Sequence, residues 1–194
     1  MNHIGPARTP ARRTGSATFV TLVAVGAVLV GVLAYQFLPS LSSAAARFHD
    51  SSQGATVFDD EDPAVANLDA DLLAALREAA TDAADDGVTL VVNSGWRSAE
   101  DQRQLLREAL AKYGSEEEAA RWVAAPDKSA HVSGEAVDIG PAEAAAWLAS
   151  HGARYGLCQV YANEPWHYEL RLRAGAYGCP PWYADPTEDP RMRQ

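Results

Sequence analysis

A chain of 194 residues suffices for one domain with an appendage. Its composition, 47% hydrophobic and 22% charged, is that of ordinary globular material, and a formal charge of −10 argues against nucleic acid as a partner. The charge is unevenly placed. Arg8, Arg12 and Arg13 are the only charged residues among the first 46, so 13 basic and 26 acidic side chains follow them.

Residues 17–38, "ATFVTLVAVGAVLVGVLAYQFL", carry no charge. At ~1.5 Å per residue that run is long enough to cross ~30 Å of hydrocarbon. The arginines before it predict a cytoplasmic N-terminus of residues 1–16, with the rest of the chain outside. The other reading is a secretory signal cleaved after "AAA" at 44–46, although the run exceeds the ~7–15-residue apolar core of such signals. Residues 39–66 ("SLSSAAA", "SSQG", "DDEDP") read as a linker.

From Asn67 the pattern becomes periodic. Apolar residues at 68, 72, 73, 76 and 80 predict an amphipathic helix, with Asn67 as its cap and Gly87 as its stop. "VTLVV", 88–92, predicts a buried strand. Two capped helices follow, one starting at Ser98 and stopping at Gly114, the next starting at Ser115. "EAVDIG" predicts a strand with Val137 and Ile139 on one face and Asp138 on the other. Pro141 opens a helix that stops at Gly152, and "LCQVY" and "WHYELR" are two more strands. Residues 184–194 are expected to be a flexible tail. Helices followed by strands interleaved with short helices imply an α+β fold: one small domain, 67–183, with a central antiparallel sheet flanked by helices. Cys158 and Cys179 are the only cysteines, and an oxidising compartment would join them. That bridge closes a loop of about 20 residues and is worth roughly 3 kcal/mol.

The chemistry concentrates in "SAHVSGEAVD" (129–138) and "NEPWHYEL" (163–170). Strand alternation puts His167 and Glu169 on one face, opposite Trp166, Tyr168 and Leu170. If the two strands are neighbours, Asp138 and His167 meet. His131 joins them only if the chain turns at Gly134, because a straight strand would aim residues 131 and 138 at opposite faces. Two imidazoles and one carboxylate make a three-ligand zinc set with a fourth position open to water. A base must accept that water's proton. Glu164 and Glu169 both compete for the role, with Asp127 and Glu135 weaker. Arg97, in the bend "SGWRS", is placed to stabilise an oxyanion. A surface loop remains the alternative reading of 129–138, and surface ion pairing that of Arg97. His151 ends a helix and reads as structural; His3 and His49 lie in the tail and linker. Trp122 and Trp147 read as core, and Trp166 as either core or substrate platform.

These motifs, "SGWRS", "SAHVSGEAVD" and "EPWH" in that order, resemble the VanY-like zinc D-alanyl-D-alanine carboxypeptidases, relatives of the D-Ala-D-Ala dipeptidases of vancomycin resistance. The resemblance covers roughly residues 67–172. It implies zinc on His131, Asp138 and His167, Glu164 as base, and Arg97 on the substrate carbonyl. It also implies substrate contacts for Ser129 and Gln102. The implied substrate is a peptidoglycan stem peptide ending in D-Ala-D-Ala, cleaved outside the cytoplasm by a membrane-held monomer. Related L,D-carboxypeptidase or D,D-dipeptidase activity, or a non-catalytic wall-binding module, are the alternatives. Ala130, where a polar residue is common, and the cysteine pair depart from the family pattern.

Overall fold

The computed structural model describes residues 54–193. The anticipated anchor, 17–38, lies outside them. Among the described residues no helix is long and apolar enough to cross a membrane.

Five strands form one antiparallel sheet: β1 (Ala55–Thr56), β2 (Val91–Ser94), β3 (Ala136–Gly140), β4 (Leu157–Gln159) and β5 (His167–Leu170), in the order β1-β2-β3-β5-β4. One face is apolar. Val92, Val137, Ile139 and Tyr168 pack there in a single core with Leu72, Leu76, Ala79 and Ala83 of the long helix α2 (Ala70–Asp85). Leu148 and Trp147 of a later helix, α6 (Ala142–His151), join that core. The small α1 (Pro63–Ala66), α3 (Ala99–Tyr113), α4 (Glu116–Ala120), α5 (Ala130–Ser133) and α7 (Ala174–Tyr177) complete the α+β domain.

The start of α2 is two residues later than Asn67. Asp69 caps it, its carboxylate accepting from the N–H groups of Asp71 and Leu72 at 3.0 and 3.1 Å. The Gly134 carbonyl accepts the Asp69 N–H at 2.9 Å and ties that cap to the site loop. Ser98 and Ser115 cap α3 and α4 as the sequence predicts, and Gly114 ends α3 in the left-handed conformation. β2 begins at Val91, three residues after the expected Val88, because the Val88 N–H closes the end of α2 on the Ala83 carbonyl. Cys158 and Cys179 form the expected disulfide, with Cα atoms 5.6 Å apart.

The two ends of the domain also differ from expectation. The stretch taken as linker up to residue 66 is folded from 55 onward. Ala55–Thr56 pairs with Val91–Val92, and Val57 and Val65 are wholly buried. Two valines in a polar, acidic stretch make no period, yet both are buried in the core. The stretch taken as a flexible tail is also folded. Asp185 and Asp189 are buried, each opening a short 3₁₀ turn with a following proline.

Candidate metal centre

β3 and β5 are neighbours, and their register sets Asp138 directly opposite His167. Ser94 of β2 pairs with Asp138 on the other side, so Ser94, Asp138 and His167 form one row across the sheet. The row lies on the face away from the core. Ser94 reaches it through a one-residue irregularity in β2: Val92 pairs with Ile139, yet Ser94 pairs with Asp138. Without it Ser94 would share the core face with Val92.

His131 arrives from α5. That helix stops at Gly134, whose φ of +79° lies in the left-handed region, and β3 starts two residues later. A Cβ at 134 would come within 2.5 Å of the Asn67 carbonyl oxygen, so both conformation and space require glycine. The reversal brings His131 back over Asp138. His131 Nε2 lies 3.3 Å from Asp138 Oδ1 and 3.3 Å from His167 Nδ1, and His167 Nδ1 lies 3.2 Å from Asp138 Oδ1. Three ligand atoms, each ~2.0–2.1 Å from a tetrahedral zinc, would be ~3.3–3.4 Å apart. The triad therefore has the dimensions of one face of a zinc tetrahedron. These three residues are the group among those described that fits a metal ion.

The outer nitrogens fix which lone pairs face inward. His131 Nδ1 donates to the Gly95 carbonyl at 2.8 Å, leaving Nε2 as a ligand. His167 Nε2 faces Glu169 Oε1 at 3.3 Å, leaving Nδ1. Gly95 can approach so closely because its backbone lies against Ala64, where a Cβ would meet the carbonyl oxygen at 2.1 Å. Electrostatics agree with the geometry. Burial pushes the Asp138 carboxyl up, but hydrogen bonds with His131 and His167 outweigh it and hold the group well below the usual range. Burial alone would lower His167; its bonds to Asp138 and Glu169 instead raise it to about 9 before metal is added.

The two contenders for the base are separated by their surroundings. Glu164 Oε2 is 3.8 Å from His167 Nδ1, on the metal side, and burial raises its pKa to about 7. Glu169 lies behind the imidazole, 1% exposed, and ion-pairs with Arg171 and Arg191 at 2.8 and 2.6 Å. Its carboxylate has no route to a proton at the metal. Arg97 Nη2 donates to Ser94 Oγ at 2.6 Å and lies 3.5 Å from Asp138 Oδ2. Burial lowers its pKa, against the attraction of Asp138 and Glu164.

A cleft of about 180 Å³ opens over the triad. Arg97, Gln102, Ser129 and Glu164 line it, together with the metal ligands. Gln102 is 2% exposed; its Nε2 donates to the Ala124 carbonyl at 2.8 Å, while Oε1 has no partner. Arg97 Nε is likewise buried without a partner. Both are buried polar atoms without a protein partner, on residues that line the cleft. Ser129 is buried at the N-cap position of α5, and its side chain makes no capping hydrogen bond.

Some lining residues escaped the sequence reading. Trp122 is not core: it is 39% exposed, stacks on Tyr113 with centroids 5.9 Å apart, and forms part of the cleft wall. It follows the end of a five-residue helix, so helical periodicity assigns it wrongly. Trp147 is buried as expected, and His151 Nδ1 bonds the Trp147 carbonyl in a structural contact. Trp166 is 41% exposed at the cleft. Tyr161 packs on His167 with centroids 5.1 Å apart, and Pro186 and Met192 of the presumed tail reach the same cleft. Two Asp-Pro steps, at 185 and 189, were the available signal for that order.

Residues 65–171 match the VanY family, D-alanyl-D-alanine carboxypeptidase, over more than half of the chain. The chain belongs to the VanY family. A D-alanyl-D-alanine carboxypeptidase of Enterococcus faecalis (strain ATCC 700802 / V583) is 34% identical, over 43% of this chain and 40% of that protein. The chain thus spans well under half the length of this VanY relative. Among solved structures, a mutant of the vancomycin-resistance D,D-pentapeptidase VanY from a VanB-type cassette, in complex with Zn(II), is 31% identical with a TM-score of 0.50. That match covers 53% of this chain and 72% of the other. VanYB in complex with D-alanine-D-alanine is 30% identical, also with a TM-score of 0.50, over 53% and 71% of the two chains.

Proposed function

We propose that the chain is a zinc-dependent D,D-carboxypeptidase that releases the terminal D-Ala from peptidoglycan stem peptides. The observation that carries this reading is the triad of inward-facing ligand atoms, 3.2–3.3 Å apart, with Glu164 and Arg97 beside it in one cleft. Membership of the VanY family, and solved relatives holding Zn(II) and D-Ala-D-Ala, support it.

Zinc held by His131, Asp138 and His167 supplies Lewis acidity, making water a stronger acid and drawing charge from a carbonyl oxygen. Glu164 accepts a proton from the attacking water and returns it to the leaving amine as the C–N bond breaks, a role for which a carboxyl pKa near neutrality is suited. Arg97, held by Ser94 in the cleft wall, offers its guanidinium to the oxygen on which negative charge develops. Gln102 Oε1 and the Ser129 hydroxyl orient the substrate. The products are free D-Ala and a stem peptide one residue shorter. Water is the nucleophile, so no serine is acylated and β-lactams have no acylation target here.

Residues 17–38 hold the protein in a bacterial membrane as a single span, with the catalytic domain outside. The uncharged run, the preceding arginines and the disulfide support this. One chain supplies every residue of the proposed site, which accords with a monomer.

The test is D-Ala release from a stem pentapeptide, followed by mass spectrometry with and without chelator. The expected result is loss of one D-Ala, abolished by chelation and restored by zinc. Release that ignores chelator overturns the proposal. Cleavage only of the tetrapeptide, or only of free D-Ala-D-Ala, would replace it with L,D-carboxypeptidase or D,D-dipeptidase activity. A protein that binds the peptide without cleaving it would be a wall-binding module.

A further inference from the structure

Asp185–Arg193 lies beyond the matched family residues, which end at 171, yet it reaches the metal centre from behind. Arg191 makes a two-pronged contact with Glu169: Nη1 to Oε2 at 2.6 Å and Nη2 to Oε1 at 3.0 Å. Glu169 Oε1 is the oxygen that faces His167 Nε2. Asp189, 0% exposed, fixes the guanidinium in turn, accepting from Arg191 Nε at 2.9 Å and from its backbone N–H at 2.9 Å. Tyr161 closes the circuit, since its ring packs on His167 and its hydroxyl donates to Asp189 at 3.1 Å.

We propose that Arg191 is a positioning residue for the metal ligand His167: from the C-terminal segment it orients Glu169, which orients the imidazole so that Nδ1 faces the metal. A planar guanidinium suits this task because its fork matches both carboxylate oxygens at once and so fixes the rotation of the carboxylate plane. Arg171 Nη1 lies 2.8 Å from Oε2, the oxygen turned away from His167 Nε2, whereas the two Arg191 bonds reach both oxygens. A carboxylate free to rotate would offer His167 Nε2 no directed acceptor, and the ring would lose the bond that selects its tautomer. The Arg191 side chain is 42% exposed, so its removal opens no large cavity in the core.

The inference rests on the zinc reading, and one experiment separates the two. Zinc affinity of the full chain is measured by competition with a chromogenic chelator for wild type, Arg191→Met and Arg191→Lys, alongside thermal unfolding of the zinc-free forms. Arg191→Met is expected to bind zinc roughly 10–100-fold more weakly. Arg191→Lys, which keeps the charge without the fork, should show a smaller loss. At saturating zinc, D-Ala release should recover in both. Equal zinc affinity in wild type and Arg191→Met overturns the positioning role, whatever happens to thermal stability. Full retention of affinity in Arg191→Lys together with loss in Arg191→Met overturns the geometric part and leaves charge alone. If the wild type itself binds no stoichiometric zinc, the metal reading fails instead.

Discussion

His167 has a carboxylate on each side, and the two behave oppositely. Glu164 lies toward the cleft, where burial raises its pKa to about 7 and keeps its proton within reach of neutral conditions. Glu169 lies behind the ring. Burial pushes it up too, but bonds with His167 and Arg191 outweigh that and hold it far below the ordinary carboxylate range. Both are acidic, both nearly buried, and they stand five positions apart. What differs is the number of cations in direct contact. A carboxylate with two guanidiniums is locked in one ionisation state and orients its neighbour; one without them can exchange a proton.

The strongest way to break this contrast is to exchange the roles by mutation. Glu164→Ala should lower kcat by ~10²–10⁴-fold while zinc content, measured by elemental analysis, stays stoichiometric. Normal turnover would move the base elsewhere, with Glu169 the first alternative. Arg97→Ala should cost ~10²–10³-fold in kcat, again with zinc retained, if the guanidinium acts on developing charge rather than on the metal. Glu169→Gln should act on the metal instead: about 10–100-fold weaker zinc binding by chelator competition, with activity largely regained at saturating zinc.

Acidity sharpens the contrast with a smaller effect. The depressed pKa of Glu169 means its contribution to stability is present above its unfolded value of about 4.5 and is lost as pH falls below it. The raised pKa of Glu164 has the opposite sign. In zinc-free protein, folding is favoured by its protonated form, and that contribution is lost as pH rises from ~4.5 through about 7. Urea unfolding of zinc-free wild type and Glu164→Gln between pH 5 and 8 should therefore diverge. The variant should gain on the order of 1–3 kcal/mol relative to wild type at the alkaline end. A constant difference across that range would show that burial leaves the Glu164 carboxyl unshifted.

The metal side of His167 was legible in the sequence, and the rear side was not. Alternation along β3 and β5 already put Asp138 and His167 off the core face, and Gly134 supplied the turn that His131 needs. These are local rules, each acting over a few residues. Glu169, read as a competing base, acquires its role from Arg191, 22 positions away in a stretch rich in proline and charge. Apart from its two Asp-Pro steps, nothing local distinguishes that stretch from a frayed end, because its order comes from buried ion pairs rather than from apolar periodicity. Val57 was missed for a related reason: a two-residue edge strand leaves no period to detect. Gln102, singled out in the sequence only by the family resemblance, is buried on α3 and lines the cleft.

The irregularity at Asn93 makes β2 a strand of two halves. Its first half belongs to the interior and its second to the catalytic surface, and the crossover happens within one step. Register, more than composition, is therefore what matters there. Regular pairing of the same residues would set Ser94 opposite Val137 and turn the anchor of Arg97 into the hydrocarbon side of the sheet, with the strand just as apolar as before.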